Sequence, residues 1–344
     1  MVLPNSERRF QVSILRDGRM ITTCEFHNLI GMFAIIRLFS KPKRGLGYAK
    51  ENRRNLFCIS AGICWGSMGV AAQVLMEDSG FTVGDLVAGR LLGARVLLLM
   101  FEHFFMRRSL LKYFSQPGVA KDIPLYGVLV LLTQLTFFLA IQCSNAGTAA
   151  ILAATIPVFT TIWDVFVKHR APQIREMACT ALAIIAVVLI TTKGDFDSVS
   201  LSLTGVLWGL ASSVAGAASN IQPNAVLKKI PVTVVVGGGM TVGGIVMSIF
   251  FPPWVIEANW TTQSALFYTY IVVVGTLVSF LLYVSSLKMI SATSASLLSC
   301  FEPITAVVLS VVLLGAPLTP AEGVGGVLVF AAVWLLASRK KAQA

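Results

Sequence analysis

The chain has 344 residues, of which 56% are apolar and only 12% charged, and it carries a net charge of +11. So little charge cannot cover a water-facing surface of that size, which excludes an ordinary soluble protein and leaves lipid as the main solvent. The positive residues sit in a tail and in short loops, so orientation in a membrane accounts for them better than nucleic-acid binding.

Residues 1–54 read as a basic cytoplasmic or interfacial tail. Ser6 to Arg19 is polar and mixed; Leu29 to Phe39 is apolar except for Gly31 and Arg37, too short to span and suited to an interfacial helix. Lys41, Lys43, Arg44, Arg53 and Arg54 would face anionic headgroups. The alternative is that this region is dispensable, or that part of it is an over-called start with Met32 as the true one. No cleavable secretory signal is expected before the first span, because the segment is long, polar and basic.

Ten stretches then follow that are each long enough to cross a bilayer as a helix: 55–76, 83–105, 123–142, 146–167, 174–192, 202–222, 231–252, 264–287, 293–314 and 321–338. With the N-terminus in the cytoplasm, eleven Lys/Arg in residues 1–54 lie inside. So do Arg107, Arg108, Lys112, Lys121, Lys168, Arg170, Arg175, Lys228, Lys229, Lys288, Arg339, Lys340 and Lys341, while the outer loops hold Lys193. Ten spans with both termini cytoplasmic satisfy this bias.

The stretches fall into two similar sets. Gly62, Trp65 and Gly66 in the first span recur 143 positions later as Gly205, Trp208 and Gly209. The run Ala149 to Leu152, followed by Pro157, Glu176 and Leu182, recurs 146 positions later as Ala295 to Leu298, Pro303, Glu322 and Leu328. The organisation expected is therefore an all-α polytopic membrane protein with one five-helix repeat over 55–192, a second over 202–338 and a basic tail over 339–344. Five spans per repeat put the second copy into the membrane from the opposite side, so the halves are inverted repeats.

A Gly-x-x-Trp-Gly start to the first span (Gly62, Trp65, Gly66), an arginine in the second (Arg90) and Glu302-Pro303 in the ninth form a set that resembles the drug/metabolite transporter superfamily, EamA-type. The resemblance covers about residues 55–340. It implies an inner-membrane exporter or importer of amino acids, related metabolites, nucleosides or toxic organic compounds. It also implies a central cavity lined by the first four helices of each half. The fifth and tenth helices would be peripheral and offer homodimer contacts.

Ionisable groups deep in a membrane helix are costly and point to function by default. Glu302 precedes Pro303, which frees a backbone carbonyl and allows a kink. Glu302 reads either as a proton or substrate-amine site, or as a group that neutralises an arginine or caps a helix break. Arg90 and Arg95 lie five residues apart on one helix and face different ways. One would pair with Glu302 and the other meet a substrate carboxylate or a helix C-terminus; a structural ion pair is the plainer reading for Arg90. Trp65 and Trp208 are candidates for a cavity wall or for packing. Gln134, Asn220, Tyr283, Ser286, Ser294, Ser296 and Ser299 are uncharged candidates for substrate contacts, or for interhelical hydrogen bonds. Pro157 and Pro303 are repeat-related hinge candidates, or static kinks.

No enzyme motif is present: no HExxH, CxxC pair, Walker loop or aspartate-rich magnesium motif. His27, His103 and His169 do not assemble a metal site, and the six cysteines read as packing residues. The expectation is a secondary transporter, not an enzyme, without metal or cofactor. Its partners would be a small-molecule substrate and the lipid bilayer, with no nucleic acid. It would move an amino acid, nucleoside or related compound across the inner membrane by alternating access, as an exporter with proton coupling or by facilitated diffusion. A flippase for a lipid-linked carrier is the alternative.

Overall fold

A computed structural model describes residues 47–101, 119–167, 169, 174–192, 203–290, 295, 298, 299, 301–315 and 319–337. The interfacial helix expected at 29–39, both basic tails beyond these limits, and Lys193, His27, His103, Ser294 and Ser296 lie outside the described residues. Among the described residues all regular structure is helical. The helices are α1 (Gly47–Asp78), α2 (Val83–Phe101), α3 (Val119–Cys143), α4 (Ala146–Val167), α5 (Ile174–Thr192), α6 (Leu203–Ile221), α7 (Val232–Phe250), α8 (Thr262–Leu287), α9 (Phe301–Leu314) and α10 (Pro320–Ala337), with a single turn, Asn224–Leu227, before α7. From residue 51 onward the described residues belong to one compact unit.

Helices thus run over each of the ten apolar stretches. Five of them, the Asn55–Asp78 part of α1 together with α3, α4, α7 and α8, are long and apolar enough to cross a membrane. The others are shorter or more polar for visible reasons: α2 carries Asp85, Arg90 and Arg95, and α6 is rich in serine and glycine.

Three boundaries differ from expectation. The first helix starts at Gly47 rather than near residue 55. Nothing between Tyr48 and Leu56 breaks a helix, so the basic residues 50–54 continue it. The fourth stretch is two helices, Ala146–Ala153 and Ile156–Val167, joined by a turn at Ala154–Thr155. The break precedes Pro157, whose missing N–H leaves a carbonyl one turn back without its helical partner. Likewise α9 begins only at Phe301, so Glu302 and Pro303 occupy its first turn instead of mid-helix. That position suits both residues: proline is tolerated where N–H groups are unpaired anyway, and a carboxylate is favoured by the positive end of the helix dipole.

Packing of the helices follows where small residues allow close approach. Gly237, Gly238, Gly239, Gly243 and Gly244 of α7 receive α2 and α3: a Cβ on Gly237 would collide with the Arg95 guanidinium, one on Gly238 with Ile123 and one on Gly244 with Leu92. Helix α3 packs along α6, and α4 lies against both α6 and α9. Helices α5 and α10 pack along each other, with the Cys179 thiol donating to the Ala332 carbonyl at 3.2 Å, and they cover the α4 break through Ile151, Ala154, Ala186 and Val329. Their outward side chains, among them Ile174, Ile184, Val327 and Trp334, are exposed apolar groups.

One end of the bundle is tightly closed. The Asn259 N–H donates to the Ser79 carbonyl at 2.9 Å, joining the α1–α2 turn to the α7–α8 connection. Beside it Phe81, Trp260 and Tyr268 form a ring cluster with centroid separations of 5.0, 5.3 and 5.6 Å. Asp85 caps α2 here: its carboxylate accepts from the Thr82 N–H and hydroxyl, and the Asp85 N–H donates to the Thr82 hydroxyl.

Candidate functional site

Away from that closed end, the helices surround a cavity of about 700 Å³, a figure that includes its open side. Six elements line it: α1, α3, the α4 break, α6, α8 and the start of α9. Helices α2 and α7 contribute no lining residue, although the resemblance led us to expect the first four helices of each half there. They are pressed together behind the wall, because the α7 glycines admit α2 and α3 so closely. The lining residues of α6 and α8 lie in their C-terminal halves.

The glycines flanking Trp65 position the charged end of this cavity. A Cβ on Gly62 would come to 2.7 Å from the Ser299 carbonyl oxygen, and one on Gly66 would collide with the Glu302 carbonyl. Helix α1 therefore lies directly on the irregular backbone that starts α9, and Trp65, between the two glycines, lines the cavity beside Glu302. Trp65 packs against Tyr283 at 5.0 Å and Phe280 at 5.5 Å between centroids, and its buried Nε1–H has no partner among the described residues.

Helix α8 carries the other aromatic wall. It contains a π-helical turn, Val273–Val278, in which the Thr276 hydroxyl donates five residues back to the Ile271 carbonyl at 2.8 Å. Beyond that turn Phe280, Tyr283, Val284 and Leu287 all reach the cavity.

The second copy of the glycine-tryptophan motif is used differently. Gly209 seats Leu152 at the α4 break, mirroring how Gly66 seats the start of α9, but Trp208 is 37% exposed on the outer surface. Leu152 is also where the broken helix is tied to its neighbour: its carbonyl accepts from the Thr155 N–H at 2.9 Å and from the Ser213 hydroxyl at 2.9 Å.

Of the residues singled out in the sequence, Trp65, Gln134, Asn220, Tyr283, Ser299 and Glu302 converge on the cavity, and Arg90, Arg95, Trp208 and Ser286 do not line it. Arg90 is fully buried just behind the wall. Its Nη2 donates to Gln134 Oε1 at 2.6 Å, its guanidinium carbon lies 4.8 Å from the centre of the Phe138 ring, and its charge interacts with that of Glu302. Nε and Nη1 of Arg90 have no partner among the described residues. Arg95 lies over Gly237, away from the cavity. Ser286 is buried between helices, accepting from the Cys58 thiol at 2.8 Å and donating to the Tyr283 carbonyl at 2.6 Å. Pro157 and Pro303 each follow a break by one or two residues. Sequence reasoning missed Tyr126, Phe137 and Phe280 as wall residues, since aromatic residues on apolar helices carry no mark of which face they occupy. Among the described residues no cluster of three or more His, Cys, Asp or Glu is placed to hold a metal ion.

A cavity with one carboxylate, several rings and neutral hydrogen-bonding groups suits a small, partly apolar organic molecule. Comparison with known proteins points the same way. The model of the EamA-like transporter family matches residues 53–192 and again residues 203–338. The chain is 32% identical over 305 residues to the uncharacterized inner membrane transporter YicL of Salmonella typhimurium, covering 87% of this chain and 100% of that one. It is 23% identical over 297 residues to the uncharacterized transporter YwfM of Bacillus subtilis, covering 86% and 97% respectively. A solved crystal structure shares the fold with a TM-score of 0.61 at 15% identity, over 85% of this chain and 99% of the other.

Proposed function

This multi-pass membrane protein belongs to the EamA-like transporter family, and from that premise we propose that it is a ten-helix secondary carrier of the inner membrane. It moves a small metabolite, such as an amino acid, a nucleoside or a related organic compound, by alternating access. Export coupled to protons, or facilitated diffusion, supplies the energetics. The observation that carries this reading is the cavity itself: it holds Glu302 deep in the bundle and lies toward the end opposite the Ser79–Asn259 closure. The positive-inside bias puts that open end in the cytoplasm.

A two-fold relation between the halves is supported by the exchange of contacts between them. Helix α1 lies on α9 and α6 lies on α4; α3 packs on α7 and α8 on α2; α2 meets α7, α4 meets α9 and α5 meets α10. Renaming each helix by its repeat counterpart leaves this list unchanged, as a two-fold axis between the halves requires. The two family matches agree with it.

The test is flux. Purified full-length protein in liposomes is expected to move members of a panel of labelled amino acids and nucleosides. If no panel member moves and a polyprenyl-phosphate lipid is scrambled between leaflets instead, the carrier reading is wrong and a lipid flippase replaces it. A reporter fused after Lys341 is expected to read cytoplasm; a periplasmic signal would sink the ten-span topology.

A further inference from the structure

Arginine has only donors, so the oxygen that Arg90 grips must be the carbonyl of the Gln134 amide. The choice between the two ends of that amide is therefore fixed chemically: Oε1 points back to α2, and the NH2 group is left for the cavity that Gln134 lines. Gln134 is only 8% exposed, and no hydrogen bond from its Nε2 is made among the described residues. A donor that faces the cavity without a protein partner is open to a ligand's acceptor, and a charge behind the amide strengthens its pull.

Three hydroxyls of α3 and α6 on the same wall cannot replace it. Thr133 donates to the Leu129 carbonyl at 2.7 Å, Ser212 to the Thr133 carbonyl at 3.0 Å and Ser219 to the Gly216 carbonyl at 2.9 Å. Each has spent its single hydrogen on backbone and offers the cavity only lone pairs. The cavity thus combines an acidic acceptor, Glu302, with a cation-backed donor.

We infer that Gln134 is a recognition residue, held by Arg90 so that its NH2 group donates to a carbonyl or carboxylate oxygen of the transported molecule. This rests on the carrier reading above and adds a chemical class to it: a molecule with an acceptor oxygen a short distance from the group that meets Glu302. Arg90 is a positioning residue, acting through Gln134.

The experiment uses two permanent cations that differ by one carbonyl oxygen, phenacyltrimethylammonium and phenethyltrimethylammonium, so that titration of the ligand plays no part. Dissociation constants are measured on the full-length protein, and flux on the same protein in liposomes. The wild type is expected to bind the phenacyl compound about ten-fold more tightly, the upper end of what one neutral hydrogen bond contributes. Gln134→Glu keeps the acceptor that Arg90 needs and, as a carboxylate, replaces the donor by a negative charge that acts on both cationic probes alike, so their affinity ratio collapses toward one. Arg90→Lys retains part of the preference. Arg90→Met loses it, with KM for the phenacyl compound raised while the ratio of the two maximal rates is kept.

Equal binding of the two probes by the wild type, a preference that survives in Gln134→Glu, or no binding of either probe would each overturn the inference. Wild-type protein that prefers the phenacyl probe but carries neither across liposomes would overturn the carrier reading and leave the role of Gln134 intact. Flux of both without preference would do the reverse.

Discussion

Glu302 is a carboxylate among rings, and it keeps a charge there only if something offsets the water it has lost. Two features of the structure act in that direction, against the burial that opposes it: its place in the first turn of α9, at the positive end of that helix, and the field of Arg90. Neither is a direct ion pair, so the carboxylate remains available to a proton or to an ammonium group. Glu302→Gln is expected to abolish the pH dependence of uptake in liposomes while the variant elutes as the wild type does. An unchanged pH profile would remove Glu302 as the proton site. The glycines beneath it make a separate prediction. A methyl group on Gly66 meets backbone, which cannot swing aside, so Gly66→Ala is expected to destabilise the protein by about 1–3 kcal/mol, as overpacking does. A thermal midpoint equal to that of the wild type would show that α1 does not bear on the start of α9.

At the level of elements, the irregular turns matter more than the regular helices. The π turn of α8 holds one surplus residue between two anchored ends, the Thr261–Ser264 capping box and the Cys58–Ser286 bond. Deleting Val274 should close the turn into regular α-helix, removing the widened turn that precedes Phe280 and Tyr283 on the cavity wall. Loss of transport with retained expression and folding is the expected result; full activity would deny the turn any part in shaping the wall. Such features mark how far the sequence can be read. Helix positions were legible because runs of apolar residues and the spread of Lys and Arg report directly on the solvent. Glu302 was legible because a charge in such a run stands out. The α4 break at Ala154–Thr155 was only half legible: Pro157 announces a bend, but the Ser213 hydroxyl that stabilises it comes from another helix. Nor could spacing tell that Trp65 faces inward and its counterpart Trp208 outward, since both sit between the same glycines and only tertiary contacts separate them.

For the whole molecule, the closure at one end is the natural object of an experiment. Ser79 and Asn259 are joined backbone to backbone, and Phe81, Trp260 and Tyr268 fill the space beside them. If the halves exchange between two openings, this contact must part in every cycle. Cysteines placed at Ser79 and Asn259 and bridged by a short reducible cross-linker are expected to stop flux, with recovery on reduction and little effect on either single variant. Undiminished flux through the bridged protein would mean that the contact stays closed throughout the cycle.

The placement of the two buried charges has a consequence for energetics. Arg90 belongs to the first five helices and Glu302 to the second five, and their attraction acts through a medium of low dielectric constant. Any rearrangement that separates them works against that attraction unless Glu302 is first neutralised by a proton or by a bound cation. Occupancy of the carboxylate and the free energy of conformational exchange are then one linked quantity, reciprocal in the thermodynamic sense. In the proposed carrier an ionised Glu302 would latch the empty state, and a proton or a bound cation would release it.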